Sequence, residues 1–139
     1  MRVRAGLGLA ALFVAATAAR PATPVPAPFF TAAQAAEGAQ VYAQRCAMCH
    51  GRQLEGTFEV PALTGRFAAN WAGRPLGDLS VYLGRAMPQF APGTLAPEDN
   101  ARLVAFILQA NGYPAGDRPL PSGQEDLRRL VLPRPPAPR

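Results

Sequence analysis

The two cysteines of this chain and its single histidine lie within five residues of one another. They form the sequence Cys46-Ala-Met-Cys49-His50, which Gly51 follows. If these residues form one helical turn, Cys46, Cys49 and His50 share one face, because positions i, i+3 and i+4 are neighbours on a helix. Any fold of this chain must therefore place two thiols and an imidazole side by side.

Four kinds of site use such a set of groups. A structural disulfide between Cys46 and Cys49 would leave His50 without a role. A closed structural zinc site needs four ligands, and the cysteines and histidine supply three, so a carboxylate would have to complete it. A redox-active thiol pair is expected within a βαβ unit. The fourth is covalent haem attachment, for which C-x-x-C-H is the signature: the thiols add to the two vinyl groups and the histidine binds the iron.

The first of three predicted helices leads directly into this motif. Thr31 and Gln34 have the spacing of a capping box, in which each side chain accepts a hydrogen bond from the other's backbone N–H, and the helix continues through Arg45 into Cys46. Gly38 lies in its interior, where glycine costs about 1 kcal/mol relative to alanine. Close approach of another helix would explain Gly38, and an ordinary surface position is the alternative.

Two further helices are predicted downstream. One covers about residues 75–86 and cannot continue past Met87, because Pro88 disfavours the helical conformation of the residue before it. The other begins near Pro97 and ends near Asn111, and its apolar residues repeat at i, i+3, i+4 and i+7, as on a buried helix face. No segment alternates as a strand would, so the predicted fold class is all-α and the βαβ context of a redox thiol pair is missing.

The two ends of the chain differ in composition from its centre. Residues 1–19 have a basic start, a 15-residue apolar run and small residues at its end, which indicate a secretory signal peptide. The apolar run is shorter than the roughly 20 residues that span a bilayer, so an uncleaved anchor is the alternative. Residues 20–28 are a proline-rich spacer and residues 29–116 the predicted domain. Residues 117–139 are a proline- and arginine-rich tail that we expect to run over the surface or to be disordered, with a helical turn or two.

The second axial ligand of a haem iron follows by elimination. Haem in electron carriers is held by His/Met or His/His pairs, and His50 is the only histidine. Of the three methionines, Met1 belongs to the signal peptide and Met48 lies inside the attachment turn. Met87 remains, at a helix end that Pro88 fixes. We therefore predict His50 and Met87 as the axial ligands; the alternative is that Met87 only packs in the core and leaves the iron with five ligands.

These features together resemble one family, the small monohaem class I cytochromes c. The resemblance is closest to bacterial forms that accompany quinoprotein dehydrogenases or resemble the haem subunit of cbb3-type oxidases, and it covers about residues 37–116. It implies a small all-α fold in which three main helices surround one covalently bound haem c. It rests on four motifs: Cys46-x-x-Cys49-His50-Gly51, Val60-Pro61-Ala62-Leu63-Thr64-Gly65, Met87-Pro88 and Gly112-Tyr113-Pro114-Ala115-Gly116.

The resemblance also implies roles for further residues. The carbonyl oxygen of Pro61 would accept a hydrogen bond from Nδ1–H of His50 and orient its ring, and Leu63 would pack on the haem face. Trp71 lies where such proteins place an aromatic N–H near a haem propionate. The first and last helices would cross at four residues: Gly38, Tyr42, Leu103 and Phe106. Three more residues are equally well explained as propionate neighbours or as surface or core residues: Arg66, Arg74 and Tyr82.

Positive charge is concentrated at the C-terminus rather than on the predicted domain. The formal charge is +5, yet residues 29–125 are close to neutral, whereas residues 126–139 carry four arginines and one acid. A nucleic-acid-binding protein needs a basic face on the fold itself, so that function is excluded. The basic tail is instead expected to steer the protein towards an acidic redox partner or an anionic membrane surface.

With both axial positions filled, the iron has no position open to a substrate, so we expect a one-electron carrier and not an enzyme. Its partners would be redox proteins: a periplasmic dehydrogenase, or a respiratory complex or terminal oxidase. We expect a periplasmic monomer, which would be membrane-anchored if the signal peptide is not cleaved. Two alternatives remain open: a haem-based sensor or peroxidase-like protein in which Met87 leaves the iron, and a thiol–disulfide oxidoreductase.

Overall fold

The computed structural model describes residues 28–136 of the 139-residue chain. The predicted signal peptide and the spacer up to residue 27 lie outside the described residues, as do residues 137–139. Within the described part, β-pairing is limited to an isolated antiparallel bridge between Pro75 and Val131, so this part is all-α, as predicted. The helices are α1 (Ala32–Arg45), α2 (Ala47–His50), α3 (Arg66–Trp71), α4 (Leu76–Ala86), α5 (Pro97–Ala110) and α6 (Gln124–Arg129).

The three longest helices are those that the sequence predicts. α1 and α5 have 14 residues each and α4 has 11. α4 ends directly before Met87, and α5 begins at Pro97, where proline fits because a first-turn N–H has no partner within the helix. α2, α3 and α6 are short, with four to six residues each. No helix within residues 28–136 is both long enough and apolar enough to cross a membrane.

α1 and α5 cross at Gly38, as the sequence predicts. A Cβ atom at this position would overlap the backbone carbonyl group of Arg102 and would lie 2.9 Å from Cβ of Phe106. One turn further along α1, the ring of Tyr42 packs on the ring of Phe106 with their centroids 5.2 Å apart. The missing side chain at Gly38 therefore lets the two helix backbones come into contact, and this contact fixes the end of α1 that leads into the cysteine motif.

Only half of the predicted capping box forms at the start of α1. Thr31 Oγ1 accepts a hydrogen bond from the backbone N–H of Gln34 at 3.1 Å. The Gln34 side chain does not bond back to Thr31. It donates from Nε2 to the carbonyl oxygen of Leu120 and accepts from the Leu120 N–H, both at 2.8 Å. The prediction was wrong in this half because Leu120 offers the amide two hydrogen bonds, whereas the capping box offers one.

The segment after α5 packs back onto the domain. Its residues 117–133, here named the C-terminal strap, include α6. Leu120, Leu127 and Leu132 of the strap are 2%, 1% and 1% exposed. The expectation that this segment runs over the surface or is disordered is therefore wrong for these leucines. Leu120 lies between two prolines and α6 has only six residues, so any helical or strand period in the strap is too short to mark the leucines as core residues.

Candidate haem site

The junction between α1 and α2 places the two cysteines and the histidine. Cys46 stands between these helices with φ −129° and ψ −36°. Its carbonyl oxygen accepts hydrogen bonds from the backbone N–H of Cys49 at 3.1 Å and of His50 at 2.9 Å. These bonds close one helical turn, so the three side chains lie on one face as predicted. Both thiols are free, with Cys46 half-buried and Cys49 exposed.

The imidazole of His50 is buried and oriented by one hydrogen bond. Nδ1 lies 3.0 Å from the carbonyl oxygen of Pro61, and His50 is 8% exposed. A carbonyl oxygen can only accept, so Nδ1 carries the proton and the neutral ring has its lone pair at Nε2. This contact is the one that the cytochrome resemblance implies for Pro61, and it leaves Nε2 as the nitrogen that can bind a metal.

The backbone around His50 is held from two sides. The Tyr42 hydroxyl donates to the carbonyl oxygen of Gly51 at 2.6 Å, and the N–H of Gly56 donates to the carbonyl oxygen of His50 at 2.8 Å. Gly51 has a φ of +79°, a conformation that favours glycine. Burial raises the pKa of Tyr42 to about 12, so its hydroxyl stays protonated and continues to donate in moderately alkaline solution as well as at neutral pH.

Met87 reaches the same region from the end of α4. Its N–H donates to the carbonyl oxygen of Leu83 at 3.0 Å, which keeps it attached to the last turn of the helix. The chain then turns: the N–H of Ala91 donates to Pro88 at 2.9 Å, and the N–H of Gly93 returns to the carbonyl oxygen of Gly84 at 3.1 Å. The Met87 side chain is half-buried and therefore has access to the space between α4 and the cysteine motif.

One cavity of about 1050 Å³ brings all of the predicted site residues together. This volume is at the upper end of the roughly 300–1,000 Å³ that is typical of ligand pockets. Seven predicted residues line it: Cys46, Cys49, His50, Pro61, Leu63, Trp71 and Met87. Apolar side chains from α3, α4, α5 and the loop before α5 complete much of the wall: Phe67, Leu83, Leu95, Leu103 and Ile107. The space suits a large, mostly apolar group.

Trp71 is at one side of this cavity, at the end of α3. Its ring lies 5.7 Å from that of Tyr82, centroid to centroid, and the guanidinium carbon of Arg74 lies 4.3 Å from its centroid. Arg66 and Tyr82 also line the cavity. Arg74 stacks on Trp71 and forms an exposed ion pair with Asp78 at 3.3 Å. The structure thus gives Arg74 a role in supporting the Trp71 ring.

The chemistry of these side chains fits a c-type haem. Such a group needs two thiols for its covalent bonds and, in an electron carrier, a histidine and a second axial donor for its iron. Cys46 and Cys49 would supply the thiols. His50 would supply Nε2, since Nδ1 is bonded to Pro61, and Met87 would supply a thioether sulfur from the wall of the same cavity.

Comparison with protein families identifies the fold. The family model described as "Cytochrome C oxidase, cbb3-type, subunit III" matches residues 33–107, which contain the cysteine motif and Met87. The chain belongs to this cytochrome c family. Its fold is the small all-α fold of the monohaem class I cytochromes c, as the sequence predicts, and membership of the family implies haem c and a role in electron transport.

Two relatives are longer than this cytochrome c and match it over part of their length. A thiosulfate dehydrogenase from Stutzerimonas stutzeri (strain A1501) is 28% identical over an alignment of 79 residues, and the match covers 52% of this chain and 26% of the relative. The crystal structure of the sulfane dehydrogenase SoxCD from Paracoccus pantotrophus matches with a TM-score of 0.54 and 30% identity, over 71% of this chain and 53% of that one. This chain thus spans about a quarter of the length of the thiosulfate dehydrogenase and about half of the matched SoxCD chain.

Arg45 is a residue near the site that the sequence analysis did not find. It lines the cavity of the cytochrome c, and its Nη2 donates to Oγ1 of Thr94 in the loop that follows Met87. Thr94 in turn donates to the carbonyl oxygen of Ala91 at 2.7 Å. The bond between Arg45 and Thr94 joins the end of α1 to the loop that follows Met87. No sequence signal reveals it, because the two residues are separated by 49 positions.

Asn111, after the last turn of α5, also acts on the site. Its Nδ2 donates to the carbonyl oxygens of Leu63 at 2.9 Å and Ile107 at 2.8 Å, and its Oδ1 accepts from the N–H of Gly65 at 2.9 Å. These bonds tie α5 to the loop that brings Leu63 to the cavity wall. The sequence marks Asn111 as a helix end, but a helix-ending asparagine is too common for its second role to be predicted.

The thiol of Cys46 has the opposite electrostatic character to a reactive cysteine. Burial raises its pKa to about 11, against the opposing effect of the Arg45 charge. Catalytic thiols of disulfide oxidoreductases have a lowered pKa, because the thiolate is the nucleophile. The Cys46 environment of this cytochrome c therefore favours a neutral thiol at neutral pH and disfavours thiol–disulfide exchange as its function.

Proposed function

We propose that this cytochrome c is a one-electron carrier with a single covalent haem, bound by Cys46 and Cys49 and held by His50 and Met87 as axial ligands. It carries electrons between redox proteins and is not itself an enzyme. The observation that supports the proposal most directly is the convergence of both thiols, the oriented imidazole and the methionine on one cavity. Haem bound there supplies a one-electron couple, because its iron can be ferric or ferrous.

The surrounding side chains set the conditions for that couple. Leu63 is 6% exposed and Leu83 also 6%, and both line the cavity together with Leu103 and Ile107. Such side chains exclude water, and a water-poor site disfavours the additional positive charge of the ferric state. The Pro61 carbonyl increases the basicity of His50 through Nδ1–H. The more basic His50 favours the ferric state, whereas the apolar wall and methionine ligation favour the ferrous state and support a comparatively high reduction potential.

The relatives support a proposal about the electron donor. Thiosulfate dehydrogenase and sulfane dehydrogenase are named for the oxidation of sulfur compounds, and this chain matches part of each. We propose that a dehydrogenase of this class supplies electrons to the cytochrome c, and that the protein works in the periplasm after export. A terminal oxidase remains a suitable acceptor, given the description of the family.

Mass spectrometry of the denatured, matured protein tests the covalent attachment. We expect one haem to remain on the wild-type chain after extraction with acidified acetone, and no haem on a Cys46→Ser, Cys49→Ser double variant. A wild-type chain that loses its haem under these conditions would refute attachment through the two thiols. It would also reopen the thiol–disulfide alternative.

Spectroscopy of Met87→Ala tests the axial ligand. Removal of the methionine sulfur leaves the iron with a weaker ligand or none, so we expect the ferric protein to gain high-spin character and its reduction potential to fall. Met48→Ala is the matched control, since Met48 is 77% exposed, and should leave both properties unchanged. An unaltered spin state and potential in Met87→Ala would contradict the assignment. Rapid carbon monoxide binding by the ferrous wild type would favour the sensor alternative.

A mixing experiment separates the carrier from an enzyme. The ferric protein is mixed with thiosulfate alone, and then with thiosulfate and a thiosulfate-oxidising dehydrogenase, while its haem absorption is followed. A carrier is reduced only in the second mixture. Reduction of the haem by thiosulfate alone would show that the protein oxidises thiosulfate without a dehydrogenase, which would contradict the carrier role.

A further inference from the structure

The C-terminal strap holds the beginning of α4 by backbone hydrogen bonds. Leu132 donates to the carbonyl oxygen of Arg74 at 3.0 Å and accepts from the N–H of Gly73 at 2.8 Å, and Leu130 accepts from the N–H of Leu76 at 2.8 Å. Leu76 is the first residue of α4, and the N–H groups of a first helical turn have no partner within the helix. The strap therefore supplies a bond that α4 cannot supply itself.

α6 continues this contact along α4. Gly77 carries no side chain, and a Cβ atom there would lie 2.7 Å from Cγ and 3.1 Å from the backbone nitrogen of Arg128. Gln124 donates from Nε2 to Oγ of Ser80 at 2.9 Å, and Leu127 of α6 is buried as part of the hydrophobic core. Within the described chain, α4 packs more extensively on α6 than on α5. The strap is thus the main helical support of α4.

The other end of α4 carries Met87 to the cavity. The 11 residues of α4 span about 16 Å, and a helix of this length moves as a rigid unit. Tyr82 and Leu83 line the cavity, whereas Gly77 and Ser80 contact the strap. The strap fixes the orientation of α4 at its beginning. Because α4 is rigid, this orientation also determines the position of Met87 at its end.

We propose that the C-terminal strap is a positioning element for Met87, which supports α4 from outside and so keeps the methionine sulfur on the haem iron. The inference depends on the proposed ligation by His50 and Met87. When the strap is weakened, α4 can tilt, Met87 leaves the iron more often, and an external ligand can bind in its place. The strap contributes a factor to the equilibrium between Met87 bound to the iron and Met87 dissociated from it. When the strap is weakened, the fraction of molecules with Met87 dissociated rises by that factor.

Two leucine variants of the haem-loaded, full-length protein test this role. Leu127→Ala removes a strap side chain that is 1% exposed, and Leu108→Ala removes an α5 side chain that is also 1% exposed and does not line the cavity. Imidazole is added to the ferric protein, and its apparent affinity is measured together with the absorption that arises from methionine-to-iron bonding. We expect the affinity to increase at least about tenfold in Leu127→Ala and to change less than about twofold in Leu108→Ala.

A gentler variant covers the case in which Leu127→Ala does not fold. Gly77→Ala places a methyl group against Arg128, which forces the strap away from α4. Alanine is better than glycine within a helix, so the same change strengthens α4 itself. If the strap positions Met87, imidazole binds more tightly to Gly77→Ala in spite of the stronger helix. If α4 alone positions Met87, imidazole binds equally or more weakly.

The outcomes separate the two proposals. Met87→Ala serves as the reference for full loss of the methionine. If it binds imidazole as the wild type does, the proposed ligation fails, and the role of the strap fails with it. If Met87→Ala binds imidazole tightly while Leu127→Ala and Gly77→Ala match the wild type, the ligation stands and the positioning role is overturned. Equal effects of Leu127→Ala and Leu108→Ala would likewise reduce the strap to general stabilisation.

Discussion

At the scale of single residues, Asn111 connects the end of α5 to the loop that carries Leu63. We predict that Asn111→Ala lowers the free energy of unfolding by about 1–3 kcal/mol, because it leaves the N–H of Gly65 and the carbonyl oxygen of Leu63 without their partner. Chemical denaturation of the haem-loaded protein measures the change. Gln109→Ala is the control at an exposed position of the same helix end and should change stability by less than about 0.5 kcal/mol.

Tyr113 provides a prediction about alkaline pH. It is 3% exposed, and its hydroxyl donates to the carbonyl oxygen of Pro133 at 2.8 Å. Burial raises its pKa to about 12, against about 10 in an unfolded chain. Between these values the unfolded state binds fewer protons than the folded state, so stability falls as the pH rises, whereas below about pH 10 the contribution is complete.

Tyr113→Phe isolates this effect. The loss of unfolding free energy between about pH 9 and about pH 11 should be smaller in Tyr113→Phe than in the wild type, because phenylalanine has no proton to release. Tyr42, whose pKa is also raised, is present in both proteins and cancels in the comparison. The same loss in both proteins would show that Tyr113 does not contribute to the alkaline transition.

At the scale of helices, the crossing of α1 and α5 depends on Gly38. We predict that Gly38→Ala lowers the free energy of unfolding by about 1–3 kcal/mol through overpacking, although alanine is favoured over glycine by about 1 kcal/mol within a helix. Thermal and chemical denaturation show whether Gly38→Ala lowers or raises the free energy of unfolding. As a control, Ala36→Gly at an exposed position of α1 measures the propensity effect alone, at about 1 kcal/mol. A stabilised Gly38→Ala would mean that the two backbones are not in contact.

The long helices could be predicted because each has its own local pattern. The apolar stripe of α5, the stop at Met87-Pro88 and the glycine in α1 are all visible within a few residues of sequence, and the structure confirms each of them. The strap could not be predicted in the same way. Its leucines lie in short segments whose partners are far away in sequence, as the hydrogen bond between Gln34 and Leu120 shows at a separation of 86 positions.

The haem site was predictable for a related reason. Cys46, Cys49 and His50 lie within five residues and are the only cysteines and the only histidine, so elimination was sufficient to propose Met87. Pro61, Leu63 and Trp71 were found through the family resemblance alone, and all three line the cavity. Arg45 and Asn111 were missed, because an arginine or an asparagine at a helix end has many ordinary explanations and their bonds to Thr94 and Gly65 are long-range.

At the scale of the whole molecule, the structure changes how the basic tail should be tested. Arg129 forms ion pairs with Glu125 and Asp126, and Arg128 packs on Gly77. A deletion of the tail would remove these contacts together with Leu127 and Leu132. Charge steering must therefore be tested by charge substitutions that leave the strap in place.

Arg134→Gln combined with Arg139→Gln removes two positive charges and keeps the buried leucines. If the tail steers the protein to an acidic partner, the rate of electron transfer at low ionic strength should fall and depend less on salt. The control is Arg52→Gln with Arg85→Gln, which alters the net charge equally at two exposed positions outside the tail. Equal effects of the two pairs would assign the result to net charge and exclude a specific role of the tail.

The bonds between Gln34 and Leu120 join parts of the chain that are made at different times. The cysteine motif leaves the ribosome about 70 residues before the strap, an interval of roughly 3–14 s at about 5–20 residues per second. During this interval α1 lacks the partner of its Gln34 amide, and α4 lacks its outer neighbour. A segment that is synthesised after both helices is thus the one that fastens them. Because residues 117–133 do not line the cavity, both thiols can receive the cofactor before the strap has docked on these helices.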